Sequence, residues 1–519
     1  MVTGCYYFKV TKSVLPPREE ISKMQDEQKF IILHLDNKSW HFLNIIIDEE
    51  TVTGMISTLT GHDKFKTVKP YAANRYLKRA VNDESAIFNE VHIYITGYSE
   101  TGKGRISIQT KDIKKIEVYD KDNGATVASW IFGSLGVGIG AFAVLLVIVA
   151  LTKSSCPFVY SFDGTDFLLS GEIFSGAIQP GLERDDYLPL PAISPVDGTY
   201  SLKLTNEVHE IQSVNIAELV CVDHPDNLSV LIDKYGTVNT FHNPAPPVAA
   251  INGSGKDILS VIEAKDTLNY SGDEKATGNK GIEEIIMKFI KPSDCQSAKL
   301  VIRAKNSFWL DLLFTKFHKL FGEKYETFTK KQESAPCEKL NRFLLDQKIP
   351  LSVYLERDGQ WQFVDYFNIA GPMALRDDIL PLNLTGFNSD TVNLKLVTGF
   401  LFWEVDYAGM DFSKNERVIP SAVPAKSILD KNGTDFRDLL CCKDKNYLVL
   451  KEVGDEVLLH FDKPELQNTC RTAFLHTSGY YKILREQKGP ADKKNLKTFR
   501  KPNRFPEFSK EMYNLLPVR

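Results

Sequence analysis

The sequence predicts a mainly β protein with helical insertions: a small β-rich N-terminal domain, one hydrophobic membrane helix, then antiparallel β-sandwich-like modules. Three observations predict it. Alternating or continuously apolar runs of seven to nine residues recur on both sides of the chain's centre, bounded by Asp, Asn and Gly turns. Between them, Gly124 to Thr152 forms a run of 29 residues without an ionisable side chain. The composition, 43% apolar and 25% charged over 519 residues, is that of a folded chain long enough for several cores.

In order, residues 1–27 read as a leader or linker. Val2-Thr3-Gly4-Cys5 fits the lipobox pattern, in which small residues precede a cysteine that becomes lipidated, so Cys5 is the lipidation candidate. The apolar stretch that usually precedes such a cysteine is missing. Residues 28–123 form the small β-rich domain: KFIILHL, SWHFLNIII and TVTGMISTL, one short helix in YAANRYLKRAV, then VHIYIT, RISIQT and KKIEVYD.

Residues 124–152 are the membrane segment. About 20 apolar residues cross the hydrocarbon core, so this run suffices with room to tilt. Gly133, Gly136, Gly138 and Gly140 would each cost a helix in water about 1 kcal/mol, which favours lipid. Gly136 and Gly140 have GxxxG spacing. The 15 residues before the run carry four lysines and the 15 after it one, which puts residues 153–519 outside the cytoplasm. A lipidated Cys5 would instead place the N-terminal side outside. The two signals conflict over residues 1–123 and agree on 153–519.

Residues 153–247 form a β-rich module that opens on a hairpin about Asp163-Gly164. Residues 248–283 are a polar loop or linker, and 284–485 a sandwich-like module with a helical insertion at 307–347. Its helix carries apolar residues at 308, 309, 312, 313, 317, 320 and 321. A hairpin about Asp358-Gly359 covers 352–367. Residues 486–519 are a basic tail: from Lys482 to Arg519 there are 11 basic and 4 acidic residues. That pattern reads as a solvated extension or as a patch facing anionic lipid.

KDIKKIEVYDKDNGAT resembles the small β domain of uncharacterised cell-envelope (lipo)proteins of Bacteroidetes-type bacteria. CPFVYSFDGTDF, LERDDYLPLP, YSLKLTNEVHEI and ELVCVDHPDN resemble a family of extracytoplasmic bacterial proteins, some carrying FG-GAP or tetratricopeptide repeats. GQWQFVDYF, LKLVTGFLFWEVDYAGMDFS and RTAFLHTSGYYKI follow in the same order, so scattered blocks cover roughly 156–485. The resemblance implies an envelope location and no settled activity, and the chain lacks those repeats.

No catalytic set emerges. Gly97 to Lys103 begins like a P-loop, but Gly104 stands where Ser or Thr should bind magnesium, and a strand pattern follows where a helix is needed. The eight cysteines contain no CxxC, and most are expected in the core, with Cys441-Cys442 as two half-buried thiols. Glu183, Asp185 and Asp186, with Asp163 and Asp166, are the oxygen donors calcium takes but lack the EF-hand order. Calcium is the one cofactor this cluster leaves open; no metal site is assigned and no other cofactor is expected. His224, His242, His460 and His476 read as hydrogen-bonded strand or surface residues. Phe400, Phe402, Trp403 and Tyr407 read as a central strand, or alternatively as an aromatic platform.

The functional expectation is a membrane-tethered envelope protein whose non-catalytic modules bind a protein or glycan partner. Its ligand-contact candidates are Glu172, Glu183, Asp185, Asp186, His224, Trp403 and Tyr407. The alternative is an envelope hydrolase of glycan or cell-wall material with Glu172, Asp185 and Asp186 in a cleft. A net charge of −4 argues against nucleic acid as the partner. Oligomeric state is not legible.

Overall fold

A computed structural model describes residues 6–12, 30–36, 38–47, 51–59, 75–78, 90–102, 105–121 and 157–515. Cys5, Lys103 and the whole Gly124–Thr152 segment lie outside the described residues. Among the described residues no helix is long and apolar enough to cross a membrane, which says nothing of strands. Among the described residues the fold is mainly β, 46% strand against 17% helix, and almost every strand pair is antiparallel.

The chain divides into two compact units. The first is a nine-stranded sheet in the order Arg75–Lys78, Tyr6–Lys12, Ile113–Lys121, Glu90–Ile95, Phe30–Leu35, Lys38–Ile47, Thr51–Thr58, Arg105–Gln109, Ser99–Gly102. Ile31, Leu33, Phe42, Val52, Val91, Ile93 and Ile106 pack as its core. Tyr6–Lys12, expected within a leader, is a strand because YYFKVTK alternates and pairs on both edges. Arg75–Lys78, expected as helix, is the edge strand beside it. Ser99–Gly102 and Arg105–Gln109 pair as two arms of a hairpin, the arrangement expected in place of a P-loop.

In the second unit two sheets enclose one core. One runs Phe167–Glu172, Phe158–Phe162, Thr199–Thr205, Glu456–Asp462, Ser427–Asp430; the other runs Arg184–Pro189, Cys470–Ile483, Glu210–His224, Pro420–Pro424. Phe174, Leu202, Leu204, Val214, Leu219, Leu459, Phe461 and Leu475 fill the space between them. Five of these eight residues come from 158–224, and four of the nine strands from 420–483. The expected cut between a 153–247 module and a 284–485 module therefore does not follow the fold. Residue pattern shows that a strand exists, not which distant strand it joins: Glu210–His224 pairs with Cys470–Ile483 along nearly its whole length.

The chain between these halves builds a second pair of sheets. One runs Ala249–Asn252, Ile282–Ile290, Thr391–Gly399, Leu351–Arg357, Gln360–Phe367; the other Arg376–Asn383, Ser297–Asn306, Trp403–Asp411. The 248–283 linker is thus part of this module, its Asn252 and Tyr270 buried. The expected hairpin at Asp358-Gly359 is present, with positive φ at both residues (51° and 72°), which a two-residue loop of this twist requires. A small hairpin, Ser229–Ile232 with Val238–Phe241, wedges between the modules. Val222, Phe474, Val230, Phe241, Val301 and Tyr407 form one core across it.

The helical insertion appears as Phe308–Lys319, Tyr325–Gln332 and Cys337–Asp346. Ser307 caps the first by accepting Leu310 N–H at 3.3 Å, and Trp309, Leu312, Leu313 and Phe317 are buried as the apolar stripe predicts. The basic tail is not a solvated extension. Lys493–Thr498 and Arg504–Asn514 are helices, and Phe499 and Phe505 pack on Phe317 with ring centroids 4.7 and 5.0 Å away. Three phenylalanines within ten residues (Phe499, Phe505, Phe508) outweigh the surrounding charge, and even Lys510 is buried, donating to the Glu274 carbonyl at 2.8 Å. Phe400–Val405 is not one strand either. Leu401 takes a left-handed turn (φ 62°), and the strand begins at Trp403.

Candidate functional site

A cleft of about 310 Å³ opens between two sheet edges, Arg184–Pro189 of the first module and Gln360–Phe367 of the second. Glu183, Arg184, Asp185, Tyr366 and Asn368 line it from the edges, and helix Cys337–Asp346 closes one side. The tip of the wedge hairpin enters from another direction. Asp233 accepts Tyr235 N–H at 2.9 Å and Thr237 N–H at 3.0 Å, folding the turn around its own carboxylate. Gly236 completes it at φ 82°, where a Cβ would lie 2.6 Å from the Tyr187 hydroxyl. The result holds Tyr235 out at 73% exposure, its hydroxyl donating to Asp365 at 2.9 Å. Lys234 lies 3.4 Å above the Tyr366 ring and bonds Asp365 and the Tyr366 carbonyl. Burial pulls its pKa down despite the Asp365 charge.

Behind this rim, Asp185 bonds His476 at 3.1 Å and Lys443 at 3.0 Å. The His476 hydrogen bond and the Lys443 ammonium hold its carboxyl down at about 2, against the burial that would raise it. His476 also bonds Glu218 at 2.7 Å. Burial alone would lower its pKa, but the two carboxylates overcome that and hold it up at about 9. Asp186 points the other way along the strand and is buried. It accepts Phe174 N–H at 2.6 Å and pairs with Arg376 at 2.7 Å. Burial opposes its ionised form, yet the guanidinium lowers its pKa. Arg376 reaches Asp378 as well, at 3.4 Å, and there burial wins: Asp378 is pushed up to about 6.

The expected contact residues divide accordingly. Asp185 and Glu183 line the cleft, Glu183 accepting from Asn215 at 2.7 Å and Tyr447 at 2.8 Å. Glu172 is buried, accepting Met373 N–H at 3.2 Å and facing Gly371, where any Cβ would fall 1.8 Å from its carboxylate. His224 is buried between the Pro225 carbonyl and Thr472, each 2.8 Å away. Trp403, 3% exposed, donates to the Ile349 carbonyl at 2.9 Å, and Tyr407 donates to the Pro244 carbonyl at 2.8 Å. Neither aromatic offers a face to solvent. Asp163 accepts from Thr165 and Asp166 inside its own hairpin turn. Among the described residues no group of three or more His, Cys, Asp or Glu is placed to hold a metal ion.

Lys234, Tyr235, Asp365, Tyr366 and Lys443 were not singled out from sequence. The Asp233-Lys-Tyr-Gly236 turn is the one signal that could have found them, since such a turn lifts its central side chains out of the sheet. The cysteines also depart from expectation: Cys221 is buried, Cys295 and Cys470 are intermediate, and Cys337, Cys441 and Cys442 are exposed.

No protein-family model matches the chain, and no curated protein matches it. Among solved structures it is similar to an arabinofuranosyltransferase from Mycobacteria at 8% identity and a TM-score of 0.16, covering 94% of this chain and 31% of that one. It is also similar to a GH31 alpha-xylosidase from Xanthomonas citri at 9% identity and a TM-score of 0.13, covering 88% and 38%. The chain spans about a third of the length of these solved chains.

Proposed function

We propose that this chain is a non-catalytic binding protein of the cell envelope, tethered to a membrane, that holds a glycan in the cleft beside Tyr235. The uncharged run Gly124–Thr152, the lysines before it and Cys5 support the tether and an extracytoplasmic place for residues 153–519. The observation that carries the binding role is Tyr235: an exposed ring standing over a rim of Asp365, Lys234, Asn368 and Asp185. A sugar presents C–H groups to such a ring and hydroxyls to such a rim.

The hydrolase alternative draws on one observation, the opposite shifts of Asp186 and Asp378, which is the pattern of an acid–base pair. Arg376 bridges the two, so each carboxyl is committed to a guanidinium. Asp185, one of two carboxylates on the cleft beside Glu183, has no proton to give near neutral pH. Binding is the better-supported reading.

Calorimetry on the full chain in detergent, with soluble cell-wall glycan fragments and an unrelated peptide as probes, tests it. Saturable glycan binding that disappears in Tyr235→Ala at unchanged melting temperature is the expected result. Binding indifferent to Tyr235→Ala, or none, overturns the glycan cleft. Release of new reducing ends, abolished in Asp378→Asn, would install the hydrolase.

A further inference from the structure

Cys337, Cys441 and Cys442 lie exposed, and the last two are neighbours in the chain. The Cys441 and Cys442 sulfurs are 3.7 Å apart. Their surroundings are fixed on both sides. Leu440 is buried and its carbonyl accepts Ala217 N–H at 3.2 Å; Asp444 N–H donates to Asn215 at 2.9 Å. Both anchors hold the same strand, Glu210–His224. Between them only Cys441, Cys442 and Lys443 are unattached to it, and Lys443 is the residue that bridges to Asp185 in the cleft.

We propose that Cys441 and Cys442 are a redox modification site, an exposed dithiol that closes to a disulfide between neighbours and thereby draws Lys443 off Asp185. The oxidant is a small-molecule disulfide. The Cys441 thiolate attacks one of its sulfurs and expels the first small thiol; the Cys442 thiolate then attacks the Cys441 sulfur of the mixed disulfide and expels the second. Two electrons pass from the pair to the oxidant, which becomes two thiols. The sulfurs must approach to about 2.05 Å with a dihedral near 90°. With both anchors pinned, the backbone turn this requires falls on Cys441 to Lys443. An extracytoplasmic compartment would supply such oxidants. The effect on ligand binding rests on the reading of the cleft given above; the chemistry of the pair does not.

The test uses the full chain treated with glutathione disulfide or with dithiothreitol, then acetylated briefly with an amine-reactive ester and mapped by mass spectrometry. The expected result is a peptide containing residues 441 and 442 that has lost two hydrogens and resists alkylation. In that oxidised form Lys443 acetylates several-fold faster than in the reduced form, while Lys445 keeps its rate. Cys441→Ser removes both changes. Stable mixed disulfides without closure overturn the proposal, and so does closure that leaves the Lys443 rate unchanged. Neither readout involves a glycan, so failure of the binding reading is scored separately.

Discussion

The imidazole of His476 lies flat on the ring of Tyr187, centroids 4.4 Å apart and planes 6° from parallel. A histidine held protonated by two carboxylates is a cation on an aromatic face, and the stack adds to the ion pairs that keep it charged. Tyr187 also backs the turn carrying Tyr235, through the contact that leaves Gly236 no room for a side chain. One aromatic ring thus joins the charged centre to the exposed rim.

Stability should therefore depend on pH through His476. Its folded pKa, about 9, lies above the ordinary 6.5, so its contribution is complete below pH 6.5 and is lost as pH rises towards 9. Asp185, depressed from 3.8 to about 2, contributes above pH 3.8 and loses that contribution as pH falls towards 2. Melting temperature from pH 6 to 9.5 should fall for the wild type. The fall should be smaller in His476→Gln, which starts lower by about 2 kcal/mol, as expected for lost charge-assisted bonds. Parallel curves would remove His476 as the titrating group.

Arg376→Met should destabilise by about 3–5 kcal/mol, because Asp186 is left buried and ionised without its counter-charge. The paired change with Asp186→Asn should recover part of the loss. Urea denaturation of the four proteins of that cycle measures it, and simple additivity would show that the two groups do not act together.

Trp403→Ala should cost about 3–5 kcal/mol, the usual loss for a large buried aromatic, and leave glycan affinity of the surviving folded fraction unchanged. A normal melting temperature would make its burial irrelevant.

Phe505→Ala should destabilise by a similar amount of about 3–5 kcal/mol, since the ring is fully buried among Phe317, Phe499 and Phe508. A solvated tail would tolerate the change. Thermal unfolding followed by near-ultraviolet circular dichroism, which reports packed aromatics, distinguishes the two.

Much of the β character was legible because strand alternation and Asp-Gly turns are local: the hairpins at Asp163-Gly164 and Asp358-Gly359 stand where the residues put them. The helix Phe308–Lys319 was legible for the same reason, through its apolar stripe and Ser307 cap. What escaped was long-range. Nothing local in SVNIAELVCVDH names RTAFLHTSGYYKI as its partner, so the module boundaries were misplaced. The tail misled because its charge is plain in the sequence while the acceptor for its phenylalanines lies on Phe317, far back in the chain. Of the site, Asp185 was named, but as one of a carboxylate group; Asp186, its neighbour in sequence, faces the opposite side of the strand and serves Arg376 instead.

The pairing of Glu210–His224 with Cys470–Ile483 also sets a timetable. The earlier strand emerges about 250 residues before its partner, which at synthesis rates of about 5–20 residues per second is a wait of roughly 10–50 s. The intervening sheets can fold during that interval, since all their strands lie within 249–411. Once folded, they would bring the waiting 158–224 half close to the point where 420–483 emerges, shortening the loop that must close. On that order of events the inner module would serve the outer one as a chaperone in cis, and a lesion confined to 249–411 should first be seen as misassembly of the sandwich around it.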